Sequence, residues 1–111
     1  MRTWIVAITA LLCGCGNSDV SRALGARCDV SAECDTKCLP PSQDWPGGFC
    51  TLLCDDDQGC PEGARCIAEA GGVCAFSCAD DPSCAFLDPG YVCKQRDSKA
   101  GGAKVLVCRG D

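Results

Sequence analysis

The chain has 111 residues, 14 of them cysteine, and a formal charge of −5 at pH 7. This cysteine content is typical of a disulfide scaffold rather than of an ordinary globular core. Between Cys28 and Cys108 there are only sixteen large apolar residues other than cysteine. Their burial alone does not offset the conformational entropy of so long a segment, so crosslinks are required. The acidic balance and the scattered basic residues argue against a nucleic-acid partner.

The N-terminus has the pattern of a signal peptide. Arg2 gives a positive start, and an apolar run follows from Trp4 to Cys13. This run is shorter than the roughly 20 residues that a membrane-spanning helix needs. Its end, Leu12-Cys13-Gly14-Cys15, resembles a bacterial lipobox, with leucine three positions before the acceptor cysteine and a small residue directly before it. We therefore expect a signal peptide over residues 1–14 and a lipid on Cys15, with ordinary secretion or a retained membrane helix as the alternatives.

Cysteine parity agrees with lipidation at Cys15. If Cys13 leaves with the signal peptide and Cys15 is acylated, twelve cysteines remain, and all of them can be paired. An acylated terminus with several chains is a firm membrane anchor. The polar stretch Gly16–Arg27 predicts a flexible tether. We thus expect a lipidated N-terminus and tether over residues 15–27 and a cysteine-rich domain over residues 28–111.

The twelve remaining cysteines form three groups of four. Each group opens with a five-residue gap, and three residues separate neighbouring groups. The run Gly47–Cys50 is matched by Gly71–Cys74, and Gly63–Cys66 is similar to Gly90–Cys93. The pattern predicts three tandem units over residues 28–50, 54–74 and 78–108. The groups are Cys28, Cys34, Cys38 and Cys50; Cys54, Cys60, Cys66 and Cys74; and Cys78, Cys84, Cys93 and Cys108.

Each unit is predicted to contain a turn followed by a hairpin. The opening gaps Asp29–Glu33, Asp55–Gly59 and Ala79–Ser83 carry acidic and turn-forming residues, which favour a tight turn or one helical turn. The third and fourth cysteines lie on short apolar segments, which predict β-strands. The expected hairpins pair 64–68 with 73–76 and 91–95 with 104–108, whereas prolines interrupt the first one.

The disulfide pairing follows from this arrangement. Four cysteines allow three pairings in each unit. A bond between the third and fourth cysteines would only reinforce a contact that the hairpin already makes. Bonds back to the turn join two local structures, so first with third and second with fourth is the favoured pairing. The predicted bonds are Cys28–Cys38, Cys34–Cys50, Cys54–Cys66, Cys60–Cys74, Cys78–Cys93 and Cys84–Cys108.

Short runs around the cysteines resemble a known group of proteins. Cys50-Thr-Leu-Leu-Cys54, Gly59-Cys60-Pro-Glu-Gly63 and Gly90-Tyr-Val-Cys93, behind a lipobox, resemble the cysteine-rich repeat lipoproteins of Gram-negative bacteria. A fainter similarity, carried by Cys28-Asp-Val-Ser-Ala-Glu-Cys34, is to the N-terminal cysteine-rich module of the Dickkopf proteins. The first resemblance implies a lipid-anchored protein of the cell envelope, facing the periplasm or the exterior. It implies no established activity.

The sequence offers few residues that could support catalysis or bind a metal ion. The chain has no histidine and no Cys-x-x-Cys pair, so we expect neither an enzyme nor a thiol redox or zinc site, and no cofactor. Asp55–Asp57 and Asp80–Asp81 offer oxygen ligands for calcium, but the alternative is a solvated acidic turn.

The expected function is that of a membrane-tethered binding or structural module of the cell envelope, with an unknown protein or envelope partner. Trp45 and Phe49 are the candidate exposed contact patch, because aromatic residues often anchor interfaces. For Trp45 itself, packing against its own unit is the favoured role. Two other functions stay open: a protease inhibitor that presents the loop Pro40–Gly48, and a calcium-dependent adhesin.

Overall fold

The computed structural model describes residues 20–111, and in this range the chain forms three antiparallel two-stranded sheets. The expected small, disulfide-rich fold with short hairpins and no large core is confirmed. No helix in residues 20–111 is long and apolar enough to cross a membrane. The strands are β1 (Lys37–Leu39), β2 (Phe49–Thr51), β3 (Ala64–Ile67), β4 (Val73–Phe76), β5 (Tyr91–Arg96) and β6 (Val105–Gly110).

The hairpins lie close to where the apolar segments predict them. Strands β3 and β4 pair over the expected residues, and β5 pairs with a β6 that continues two residues past Cys108. In the first hairpin, β1 and β2 pair over only three residues each, ending at Leu39 and Phe49. The chain between these two residues contains Pro40, Pro41 and Pro46. Proline has no N–H to donate, so regular pairing does not extend into this loop.

A single 3₁₀ turn begins each unit, as the acidic gaps predict. The three turns are Ser31–Glu33, Asp57–Gly59 and Asp81–Cys84. The side chains of Asp56 and Asp80 precede the second and third turns and accept backbone N–H groups of those turns. In the first turn the Glu33 carboxylate instead reaches back to the N–H of Asp29, at 2.7 Å. These carboxylates satisfy N–H groups that a helix start leaves without partners.

The six disulfides join the predicted pairs. The third and fourth cysteines of each group face each other across a hairpin, as Cys66 and Cys74 do in β3 and β4. Each of them is bonded to a different cysteine of the preceding turn region, so every hairpin is tied to its own turn twice. The bonds are Cys28–Cys38, Cys34–Cys50, Cys54–Cys66, Cys60–Cys74, Cys78–Cys93 and Cys84–Cys108.

The three hairpins share one small apolar cluster. Phe49 on β2 is fully buried, and its ring centroid lies 6.0 Å from Phe76 on β4 and 6.2 Å from Tyr91 on β5. Isolated bridges between Ile67 and Ser98 and between Ser77 and Val107 join neighbouring hairpins further. The hairpins therefore do more than follow one another along the chain, since aromatic rings from all three meet in this small cluster. These rings add contacts between hairpins that the disulfides already hold to their own turns.

The segment before Cys28 is packed onto the domain. Leu24 is 3% exposed within the shared cluster. Gly25 donates its N–H to the carbonyl of Cys50, and the N–H of Cys50 returns a bond to Ala26. Residues 20–27 are thus not part of a flexible tether, because their backbone bonds to β2 and Leu24 fills an apolar site. The signal peptide, Cys15 and residues 16–19 of the predicted tether lie outside the described residues.

Removing single disulfides should destabilise the domain according to the loop that each one closes. Cys84–Cys108 spans 24 residues and Cys28–Cys38 spans 10. The variant C84A/C108A should lose about 3–4 kcal/mol of unfolding free energy, and C28A/C38A about 1 kcal/mol less than that. Denaturant unfolding without reductant measures both values. An equal or larger loss for C28A/C38A would contradict this account.

Candidate functional site

The acidic turns serve the fold through repeated hydrogen bonds. In each unit, the third residue after the first cysteine accepts the backbone N–H of the third cysteine. These oxygens link each turn to the first strand of its hairpin, so Asp57 and Asp81, two of the carboxylates considered as calcium ligands, already accept protein hydrogen bonds. The bonds run from Cys38 to Ser31 Oγ at 3.0 Å, from Cys66 to Asp57 Oδ1 at 2.8 Å and from Cys93 to Asp81 Oδ1 at 2.9 Å.

The cysteine sulfurs lie close together without forming a free thiol cluster. Three sulfurs of each group come within 4.8 Å of one another. All twelve described cysteines are oxidised to disulfides. Metal ligation and thiol exchange require a thiolate, and a sulfur in a disulfide is not one. The closeness of the sulfurs follows from the two bonds that tie each hairpin to its turn.

Trp45 and Phe49 do not form the predicted exposed contact patch. Trp45 is 6% exposed and Phe49 is fully buried. Their ring centroids lie 4.9 Å apart, and Phe49 continues the aromatic contacts toward Phe76 and Tyr91. The prediction of an exposed patch is wrong because these rings fill the space between hairpins, where their apolar area is removed from water. The favoured expectation for Trp45, packing against its own unit, agrees with its contact to Phe49.

A cluster of charged groups, of which only Arg109 is buried, joins loops of the first two hairpins to β6. The Nε atom of Arg109 lies 2.7 Å from Oε2 of Glu69, and its Nη1 atom lies 3.2 Å from Oδ1 of Asp44. Neither Nε of Arg109 nor Oε2 of Glu69 has a hydrogen-bond partner with suitable geometry. The guanidinium also lies 5.8 Å from the ring centroid of Trp45, and Glu69 contacts Arg96 at 3.0 Å. Loss of the Glu69 carboxylate would leave the buried Arg109 guanidinium with only the exposed Asp44 carboxylate as a charged partner, which assigns this contact to the fold.

One surface groove has a partly apolar lining and is here called the Phe86 groove. Its volume is about 310 Å³, at the small end of ligand-sized clefts. Phe86 is 42% exposed at the rim and packs edge-on against Phe76, with ring centroids 5.1 Å apart. This contact packs the exposed ring of Phe86 against the buried ring of Phe76. The groove is lined on its apolar sides by Val20, Gly25, Pro46, Phe86, Leu87 and Tyr91.

An ion pair closes one side of the Phe86 groove. The Nε atom of Arg27 lies 3.1 Å from Oδ2 of Asp88. The pair lies directly over Gly47, where a Cβ atom would collide with both side chains. Beyond Arg27 lies a polar depression of about 460 Å³, lined in part by Asp29 and Glu33. Arg27 therefore separates an apolar groove from an acidic one.

The Tyr91 hydroxyl stays neutral at the base of this region. Burial, and next the nearby Asp88 carboxylate, raise the pKa of Tyr91 well above its ordinary value. The hydroxyl therefore has no role as a base near neutral pH. The groove therefore combines apolar area, a neutral phenol and one ion pair.

Sequence reasoning did not find the Phe86 groove. Its residues come from the segment before Cys28, the proline-containing loop of the first hairpin and the loop before β5. These stretches are distant in sequence, and their meeting depends on the packing between hairpins. The run Phe86-Leu87-Asp88-Pro89, with two large apolar residues in a turn, is the one local signal.

Comparisons with protein families, characterised proteins and solved structures found no match.

Replacing Asp57 with a neutral residue should lower the stability of the domain and make that stability less sensitive to acid. The N–H of Cys66 first, and then Arg65 at 2.7 Å, lower the pKa of the Asp57 carboxyl. Its stabilising effect is therefore fully present above the pKa of the unfolded state and is lost as pH falls through the lower folded pKa. D57N should lower the melting temperature near neutral pH and reduce its decline in acid. Asp55, which has no hydrogen bond or ion pair within residues 20–111, makes D55N the matched control. Equal acid profiles for D57N and the unmodified protein would refute this role.

Proposed function

We propose that the chain is a lipid-anchored, cysteine-rich binding or structural module of a bacterial cell envelope. The set of six disulfides carries the proposal. Such bonds form and persist in oxidising compartments outside the cytoplasm. A small apolar cluster and crosslinked hairpins suit a rigid platform that is displayed on a membrane.

Cysteine usage supports Cys15 as the anchor. Every cysteine from Cys28 to Cys108 is paired within the described domain, so none is left to bond with Cys13 or Cys15. Cys15 follows Leu12 and Gly14 in the lipobox pattern, and Cys13 precedes the expected cleavage point. The proposal therefore accounts for all fourteen cysteines, with twelve in disulfides, one acylated and one removed.

The exposed surface favours a contact function over protease inhibition. The Phe86 groove offers apolar area beside an ion pair, the composition of a small contact site. The loop that a protease inhibitor would present is bent instead of extended, since Ser42 and Gly48 both donate N–H groups to the carbonyl of Trp45. Gly110 of β6 also binds this loop, at the carbonyl of Asp44. An inhibitor would need an extended, protruding segment that adds to the edge of the protease.

Replacement of the anchor cysteine tests the proposal. The C15A variant should move from the membrane fraction to the soluble extracytoplasmic fraction, because it has no sulfur to acylate. C13A is the matched control and should stay in the membrane, since residue 13 leaves with the signal peptide. Mass spectrometry of the N-terminal peptide should find acyl chains on Cys15 of the control. An unmodified mature N-terminus, or a C15A variant that fractionates like the unmodified protein, would overturn the proposal.

A further inference from the structure

We infer that the Phe86 groove is the surface with which the domain docks onto the zwitterionic phospholipid surface that holds its anchor. This inference rests on the lipid anchoring proposed above and names the contact partner of that groove. Three features carry it: the place where the anchor segment meets the domain, the rigid exposed aromatic side chain, and the local balance of charge.

Chain length places the groove near the anchor. Val20, the first described residue, lines the groove, and Cys15 precedes it by only five residues. Five residues span at most about 17 Å even when fully extended. Because residues 20–27 are packed onto β2 and the shared cluster, no slack in this segment moves the groove farther away. The acyl chains thus hold this face of the domain within a short distance of the headgroups.

The side chains of the groove suit a lipid headgroup region. Phe86 is exposed at the rim and held by Phe76, so inserting it into lipid would cost little conformational freedom. Phenylalanine is among the apolar residues that surface-bound segments bury at the boundary between headgroups and acyl chains. The Arg27 side chain is 73% exposed, and a guanidinium on an apolar stem can reach a lipid phosphate while the stem stays in contact with apolar groups.

The charge of the region selects the kind of lipid. Arg27 and Asp88 neutralise each other in the groove, although the chain as a whole is acidic. Docking onto a zwitterionic surface therefore meets no strong repulsion. The polar depression beyond Arg27 carries the carboxylates of Asp29 and Glu33. These groups would repel an anionic surface, so added acidic lipid should weaken docking and added salt should relieve that loss.

The test uses the acylated full-length mature protein in phosphatidylcholine nanodiscs, with a small fraction of lipid that carries a gadolinium chelate. Paramagnetic broadening of amide signals then reports which face approaches the headgroups. The signals of Arg27, Gly48 and Leu87 should broaden strongly, and those near Leu106 on the outer side of β6 should broaden weakly. F86S should reduce the groove broadening by about two-fold or more, because the apolar area that drives insertion is lost.

Matched variants separate docking from simple tethering. Leu106 is 39% exposed, close to the exposure of Phe86, so L106S removes a comparable apolar side chain and should leave the groove broadening unchanged. R27Q tests the phosphate contact and should also reduce the broadening, without removing the packing of Phe86. Phosphatidylglycerol added at constant total lipid should lower the broadening at low salt.

The outcomes distinguish this inference from the proposed anchoring. Three results, each with an acylated Cys15, would overturn the docking surface but leave the anchoring intact. The signals could broaden uniformly, they could broaden most on another face, or the broadening could be unchanged in both F86S and R27Q. In that case the groove would be free for a protein partner. An unmodified Cys15 would overturn both the anchoring and the docking. The inference predicts that the broadening of amide signals around the groove falls in F86S and R27Q and stays unchanged in L106S.

Discussion

The pairing of two adjacent cysteines on each hairpin with two cysteines of the preceding turn is the constraint on which the rest of the structure depends. Cys66 and Cys74, side by side in β3 and β4, are bonded to Cys54 and Cys60. The other two hairpins repeat this arrangement. A two-stranded hairpin alone is marginally stable in water. Here each hairpin is held to its turn covalently, which limits the unfolded chain more than the folded one.

Once the turns are fixed, weaker interactions complete the fold. The turn oxygens of Ser31, Asp57 and Asp81 accept the N–H groups of the third cysteines. Phe49 then contacts rings from the other two hairpins, and Arg109 joins β6 to Glu69. This packing also creates the Phe86 groove, since its lining comes from three separate parts of the chain. The surface available for contact is thus a product of the junctions between hairpins rather than of one hairpin.

The sequence was sufficient to predict the local features. Cysteine spacing predicted all six disulfides, and the apolar segments predicted the hairpins, because both depend on residues fewer than 30 positions apart. Features that depend on packing between hairpins were not predicted. Trp45 and Phe49 resembled an exposed patch because a short aromatic pair beside prolines and glycines carries no sign of a distant partner. Leu24 was likewise assigned to a tether, since its apolar site is formed by other hairpins.

The most direct test of the central claim is amide hydrogen exchange before and after complete reduction and alkylation of the twelve disulfide cysteines. With the disulfides intact, the amides of β1–β6 should exchange slowly. After reduction, protection should fall in all three hairpins together, because the shared apolar cluster is too small to order them without crosslinks. Retention of slow exchange at the buried Ile67, Val73 and Val107 after reduction would contradict the account, since it would mean that packing alone holds the fold.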